Sequence, residues 1–370
     1  MAHSVMVFGV GEVGGHILEF LARTSGIKKI IALDINEKNA LAKLACVRYG
    51  AMFEGYYPEM ELVVGDVFDV DNTSRILRKI KPDLIINTAS LQSWWVITEL
   101  HPSTFKRLHE ARLGPWLPMH LAPTMNVMKA VKNSGVSTKV VSIPFPDAVN
   151  PVLDSINLAP TVGAGNVDEL VPPLQYYVSK KYQVSPKAVQ VCVIGHHYHN
   201  AAVLEDRKLD VPLYVKVMLD NKDITSQIPV EEALMEATKI YPGGKSDSSI
   251  IASSTLKNAL AILKDSDLWT NAPGPSGLPG GYPVRLDASG AHIALPEGVT
   301  LEEAVSINKE AQKYDGIESI EKDGTVIFTD NSYLIMKEML GYDCKSLSIK
   351  DVEEAAKNLK EAFNRLKNNM

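Results

Sequence analysis

The sequence predicts an α/β protein: an N-terminal doubly wound parallel sheet joined to a second lobe of α+β character. Three observations carry that expectation. Short apolar runs alternate with helical patterns from Ser4 to Ile143. The first run ends in a glycine cluster where a helix begins. Beyond about residue 150 the strands lengthen and alternate in polarity, and a Pro/Gly-rich stretch appears. A βαβα rhythm gives a parallel sheet with helices on both faces.

Taken in order, Ser4–Gly9 is a strand, 12–25 a helix closed by Gly26, and Lys29–Asp34 (KIIALD) a second strand before a helix to about Tyr49. Glu61–Val64 is a third strand, Asp71–Ile80 a helix stopped before Pro82, and Asp83–Ala89 (DLIINTA) a fourth strand. A helix over 120–134 ends at Gly135, and Lys139–Ile143 is the fifth strand. In the second half Leu213–Leu219 reads as a strand, and Pro229–Tyr241 and Ser248–Lys264 as helices. Residues 270–283 (TNAPGPSGLPGGYP) read as a loop and Val284–Leu295 as a hairpin. Thr300 and Glu303 form a capping box opening a helix to about Tyr314. After Gly316 come a hairpin turning at Asp323-Gly324 and two helices. The expected division is 1–150, 151–316 and a C-terminal extension at 317–370. The apolar stripes of the extension (Ile317, Ile320, Val326, Phe328, then Leu334, Ile335, Met339) are expected to pack on the second lobe or a partner subunit.

Composition narrows the class. The chain has 370 residues, 45% hydrophobic and 22% charged, enough for sizeable cores. A formal net charge of −6 argues against a nucleic-acid partner. Cys46, Cys192 and Cys344 are far apart without CxxC spacing, so a reducing, cytoplasmic setting is expected rather than a disulfide framework. The N-terminus enters a strand at once, leaving no room for a signal peptide, and no apolar run has the roughly 18 residues of a membrane span. The expected partners are a small-molecule substrate and further copies of the chain, as a dimer or tetramer.

Gly9, Gly11 and Gly14 fit GxGxxG between a strand and a helix. The first glycine permits the tight turn, the second lets a pyrophosphate reach the main chain, and the third lets helix pack on strand. The helix start at Glu12 and Val13 then faces the phosphates. Asp34, followed by Ile35, ends the second strand about 20 residues on, where the acid of a dinucleotide-binding Rossmann unit bonds ribose hydroxyls. An acid there repels a 2′-phosphate, so the expected cofactor is NAD.

With these residues placed, the sequence resembles the lactate/malate dehydrogenase family over about residues 3–316. IINTAS (85–90) looks like the family's strand end against the nicotinamide ribose, which adds Thr88, Ala89 and Ser90 to the cofactor residues. VVSIPFPDAV (140–149), VGAGNVDELV (162–171) and VCVIGHHYHN (191–200) look like its next three motifs, in order. The resemblance implies a second lobe of the family's catalytic type and puts His197 on the catalytic histidine and Asp168 on the aspartate that orients it. A histidine titrates near neutrality, so it suits removal of a carbinol proton during hydride transfer. A buried carboxylate fixes its tautomer.

The sequence also departs from the family. The arginine that holds a substrate carboxylate falls on Val171, which cannot make a bidentate contact. The family's Asn-Pro asparagine falls on Ile143, with Asn150-Pro151 seven residues on. The loop 91–118 offers Arg107 and Arg112 as replacement cations, with Lys106, His101 and His109 nearby and Trp94, Trp95 and Trp116 as packing or substrate surface. Simple lactate or malate is therefore not the expected substrate. Other readings stay open at this stage. Tyr176-x-x-x-Lys180 and Tyr177-x-x-x-Lys181 match the pair of short-chain dehydrogenases, although the glycine loop does not. A saccharopine- or opine-type reductase would share the loop but lack the Asp168–His197 pair. A non-catalytic nucleotide-binding protein would keep the loop and lose the substrate arginines. His196, His197 and His199 suggest a metal, but on a strand only His197 and His199 converge and no companion cluster exists, so none is expected.

Overall fold

A computed structural model describes residues 3–238 and 244–368. Its centre is a six-stranded sheet of β1 (His3–Phe8), β2 (Ile27–Asp34), β3 (Glu59–Val64), β4 (Leu84–Asn87), β5 (Lys139–Ser142) and β6 (Val162–Gly163). All pairings are parallel, in the order β3-β2-β1-β4-β5-β6. That is the doubly wound order, whose switch point between β1 and β4 opens a ligand crevice at the strands' carboxyl ends. The continuous apolar strands follow from covering on both faces. Val5 and Val7 of β1 join one core with Ile17, Leu18 and Leu21 of α1 (Glu12–Ala22) and Leu44 of α2 (Glu37–Phe53). Met6 and Phe8, pointing the other way, join a second core with Leu77 of α3 (Val70–Ile80).

The loop after β4 carries a short helix α4 (Pro102–His109) before α5 (Leu117–Ser134). A helix that the sequence reading did not anticipate, α6 (Pro146–Asp154), follows β5. Pro146 at its first position is pre-set for a helix start, although the internal Pro151 disguises it.

The second lobe holds α7 (Val171–Tyr182), β7 (Val189–Ile194), α8 (His197–Leu204), β8 (Tyr214–Leu219), β9 (Lys222–Asp223), α9 (Val230–Thr238) and α10 (Ser248–Leu263). The end of the helix expected to reach Tyr241 lies outside the described residues. Strands β7-β8-β9 form one antiparallel sheet. A second sheet joins β10 (Leu268–Pro273), β11 (Gly281–Asp287) and β12 (Gly290–Ile293). Strand β10 corrects the expected loop at 270–283: the ladder with β11, from Leu268↔Leu286 to Pro273↔Gly281, overrides the poor strand propensity of Asn271 and Pro273. Helix α11 (Leu301–Tyr314) opens on the expected reciprocal Thr300–Glu303 box.

The last segment forms the sheet β13-β14-β15 (Ile317–Ile320, Val326–Phe328, Ser346–Leu347) with α12 (Asp330–Leu340) and α13 (Val352–Asn368). It packs on the first lobe, which corrects the expectation of second-lobe or partner packing. Ile317, Val326, Phe328 and Leu347 share a core with Leu117, Leu121 and Met125 of α5. Ile335, Met336, Leu359 and Phe363 share another with Leu108, Trp116 and Met119. Trp116 meets Phe363 edge-on with ring centroids 5.5 Å apart, so its role is packing. Leu334 of the expected stripe is exposed. Among the described residues no helix is long and apolar enough to cross a membrane.

Candidate active site

The glycine loop has the geometry a dinucleotide needs. Gly9 has φ +86°, and a Cβ there would lie 2.9 Å from Thr88 Oγ1. A Cβ on Gly14 would lie 2.1 Å from the Gly9 carbonyl oxygen, so only glycine lets α1 approach β1. A Cβ on Gly11 would meet nothing within 4 Å, which leaves the main chain open where α1 starts. Helix α1 begins at Glu12 and Val13, whose N–H groups have no turn behind them to bond. Asp34 closes β2 against this loop, its Oδ2 accepting the Val10 N–H at 2.5 Å and its Oδ1 the Asn36 N–H at 2.7 Å. Ile35 beside it is exposed. Thr88 Oγ1 donates to the Gly9 carbonyl at 2.8 Å, and Ala89 N–H to Asn87 Oδ1 at 3.2 Å. The expected cofactor residues, through Ser90, thus share the carboxyl edge of β1, β2 and β4.

The histidines do not sit on a strand as expected. Strand β7 ends at Ile194, and the chain turns into α8. His196 is the N-cap and accepts the Tyr198 N–H, while His199 Nδ1 accepts the His196 N–H at 2.9 Å. Both rings serve as neutral capping groups. Burial pushes both below the usual histidine range, His199 to about 4. They close the helix start instead of converging on a metal. Among the described residues no group of three or more His, Cys, Asp or Glu is arranged to hold one.

His197 is built differently. Its N–H donates to Asp147 Oδ1 at 2.8 Å, and its Nδ1 lies 2.7 Å from Asp315 Oδ2. Asp147 comes from the first turn of α6 and Asp315 from the end of α11, and both are buried. The ring stands edge-on to Phe145, just past β5, with centroids 5.5 Å apart. Burial pulls the imidazole down. The charge and hydrogen bond of Asp315, backed by Asp147 and Glu169, overcome it and raise His197 to about 9. His197 is therefore an imidazolium near neutrality, held at Nδ1 by a carboxylate.

Asp168 is not that carboxylate, which corrects the expected Asp168–His197 pair. It lies in a short turn, Asn166–Leu170, that faces α10. There its oxygens accept from Lys257 Nζ at 2.7 and 2.6 Å and from Ser254 Oγ at 2.5 Å. A full ammonium charge at that distance is the stronger partner. Lys257 is held in turn by Thr270 Oγ1 at 2.6 Å. Asp315 was not legible as a partner because it lies 118 residues from His197, at a helix end where Asp-Gly reads as a stop.

The two loop arginines are likewise committed elsewhere. Arg107 bonds Glu110 and Glu338 at 2.8 and 2.6 Å, tying α4 to the last segment. Arg112 and His109 reach Glu205 at 3.2 and 2.8 Å. Neither arginine is left open to a substrate anion. Val171 packs in the second-lobe core and Ile143 in the first. Asn150 donates to the Gly274 carbonyl at 2.8 Å. Lys180 lies 5.2 Å above the Tyr176 ring on α7, and Lys181 bonds the Gln227 carbonyl at 2.8 Å, so both Tyr/Lys pairs serve the helix surface.

One residue that the sequence reading passed over completes the crevice. His120, in the first turn of α5, has its Nδ1 3.0 Å from Ser90 Oγ.

No protein-family profile matches the sequence, and no curated protein sequence does. Solved structures do match. The lactate dehydrogenase of Cryptosporidium parvum, complexed with lactic acid and nicotinamide adenine dinucleotide, aligns with TM-score 0.59 at 16% identity, over 85% of this chain and 97% of that one. The malate dehydrogenase of Plasmodium falciparum, in complex with NADH, aligns with TM-score 0.58 at 12% identity, over 99% and 100%. A lactate dehydrogenase from a Medee basin deep-sea metagenome library gives 0.57 at 16%, over 85% and 96%. The chain has the fold of the lactate and malate dehydrogenases.

Proposed function

We propose that the protein is an NAD-dependent oxidoreductase acting on a hydroxy or keto substrate, with His197 as its acid/base group and Asp315 as the residue that positions it. The observation that carries the reading is the His197–Asp315 pair, 2.7 Å apart, set beside Phe145 on the same sheet edge as the glycine loop. The loop fits the cofactor: Gly11 offers unobstructed main chain at the start of α1, and Asp34 stands ready for ribose hydroxyls. When bound, NAD supplies hydride chemistry at a carbinol or carbonyl carbon. Asp315 holds the Nδ1 proton of His197, which presents Nε2 to the substrate oxygen. In the reducing direction the imidazolium donates its Nε2 proton to that oxygen, and in the oxidising direction the neutral ring takes it back.

The test is NADH consumption with a panel of small ketones, alongside NADH binding followed by fluorescence. His197→Asn is expected to lower kcat at least a hundredfold while NADH affinity stays within threefold. Full activity in that variant refutes the reading.

A further inference from the structure

The mechanism above leaves His120 unused, and its surroundings define its chemistry. Ser90 has one hydroxyl proton. The Gln92 carbonyl oxygen lies 2.7 Å from Ser90 Oγ, a contact that two oxygens make only with a proton between them. Ser90 therefore donates to Gln92 and accepts from His120, 3.0 Å away. That assigns the ring proton of His120 to Nδ1 and leaves Nε2 a bare lone pair. Burial first, and the charge of His197 second, push His120 down to about 4, so the ring stays neutral where His197 is charged.

The crevice at the ends of β4 and β5 thus holds two imidazoles of opposite character: His197, a donor, and His120, an acceptor. A carboxylate offers only lone pairs, and it would meet the lone pair of His120. Among the described residues, the side chains that could offset this are paired with acids: Lys257 with Asp168, Arg112 with Glu205, Arg107 with Glu110 and Glu338, and the imidazolium of His197 with Asp315. Val171 packs against the second-lobe core and brings no guanidinium to a carboxylate.

We infer that the site selects a substrate bearing a hydroxyl, rather than a carboxylate, next to its reacting carbonyl or carbinol, and that His120 Nε2 accepts the hydrogen bond of that hydroxyl. The substrate class is a hydroxyketone and its reduced diol or polyol. The inference rests on the dehydrogenase reading of the same site and sharpens it. An acceptor that the bound substrate covers and leaves unpaired rejects an analogue that lacks the donor.

Three ketones separate the possibilities: hydroxyacetone, which has the hydroxyl; pyruvate, which has the carboxylate; and acetone, which has neither. Each is assayed for NADH oxidation and for binding to the enzyme–NADH complex by fluorescence titration. The expected order of kcat/KM puts hydroxyacetone at least tenfold above both others. His120→Leu should lower kcat/KM for hydroxyacetone at least tenfold more than for acetone, and His120→Gln, whose amide oxygen also accepts, should restore part of the difference. A preference for pyruvate overturns the inference, as does an equal loss for hydroxyacetone and acetone in His120→Leu. If no ketone is reduced, the dehydrogenase reading fails by itself, and the binding titration decides this one: tighter hydroxyacetone than pyruvate supports it, and the reverse or no binding overturns it.

Discussion

At the scale of single residues, Asp34 and Asp315 show what a sequence gives up readily and what it conceals. Asp34 lies in a fixed register with the glycine loop, where the sequence implies a partner for ribose hydroxyls, and the structure sets its carboxylate beside that loop, on the Val10 N–H. Asp34→Ala should weaken NAD binding and narrow the preference for NAD over NADP at least tenfold, because the charge that repels a 2′-phosphate is gone. Titrating both cofactors against wild type and variant checks this, and a wild type that prefers NADP contradicts it. Asp168 has the same local standing within its motif, yet Lys257 claims it. Nothing near Asp168 in sequence announces a lysine 89 residues away. The partner of His197 is likewise set by tertiary contacts: the sequence points to the histidine only by resemblance, and the carboxylate that bonds it lies 118 residues away.

Elements follow the same division. The strands of the parallel sheet are continuous apolar runs and the capping box of α11 is a local motif, so both could be read from the sequence. Strand β10 and helix α6 carry prolines and derive their form from neighbours, as the β10–β11 ladder shows. The last segment was legible as hairpin and helices, but not its docking face, since an apolar stripe says that it is buried and not against what. Its position gives it a task. The Gly114 N–H donates to the Asp315 carbonyl at 2.7 Å, and the Thr329 N–H to the Gly316 carbonyl at 3.0 Å, so loop and appendage grip the chain beside the carboxylate that holds His197. Phe363→Ala should cost about 3–5 kcal/mol, and truncation after Gly316 should lower the melting temperature and promote aggregation by baring Trp116, Leu117 and Leu121. Calorimetry of the truncated chain checks this, and a soluble protein of unchanged stability contradicts it.

For the whole molecule, the proposed site draws on two lobes and an appendage: the first lobe supplies the glycine loop, Ser90 and His120, the second His197, and the junction of α11 with the appendage Asp315. The pH dependence of NADH-driven reduction of hydroxyacetone tests this convergence most directly. Only the protonated His197 can donate, and its folded-state value is raised from 6.5 to about 9, so the rate should hold through neutrality and fall as pH rises through about 9. Asp315→Asn removes the charge that sustains the imidazolium and should move that fall at least one unit lower. Asp168→Asn should leave it in place. An absent rate, or a fall that moves with Asp168→Asn and not with Asp315→Asn, contradicts the account.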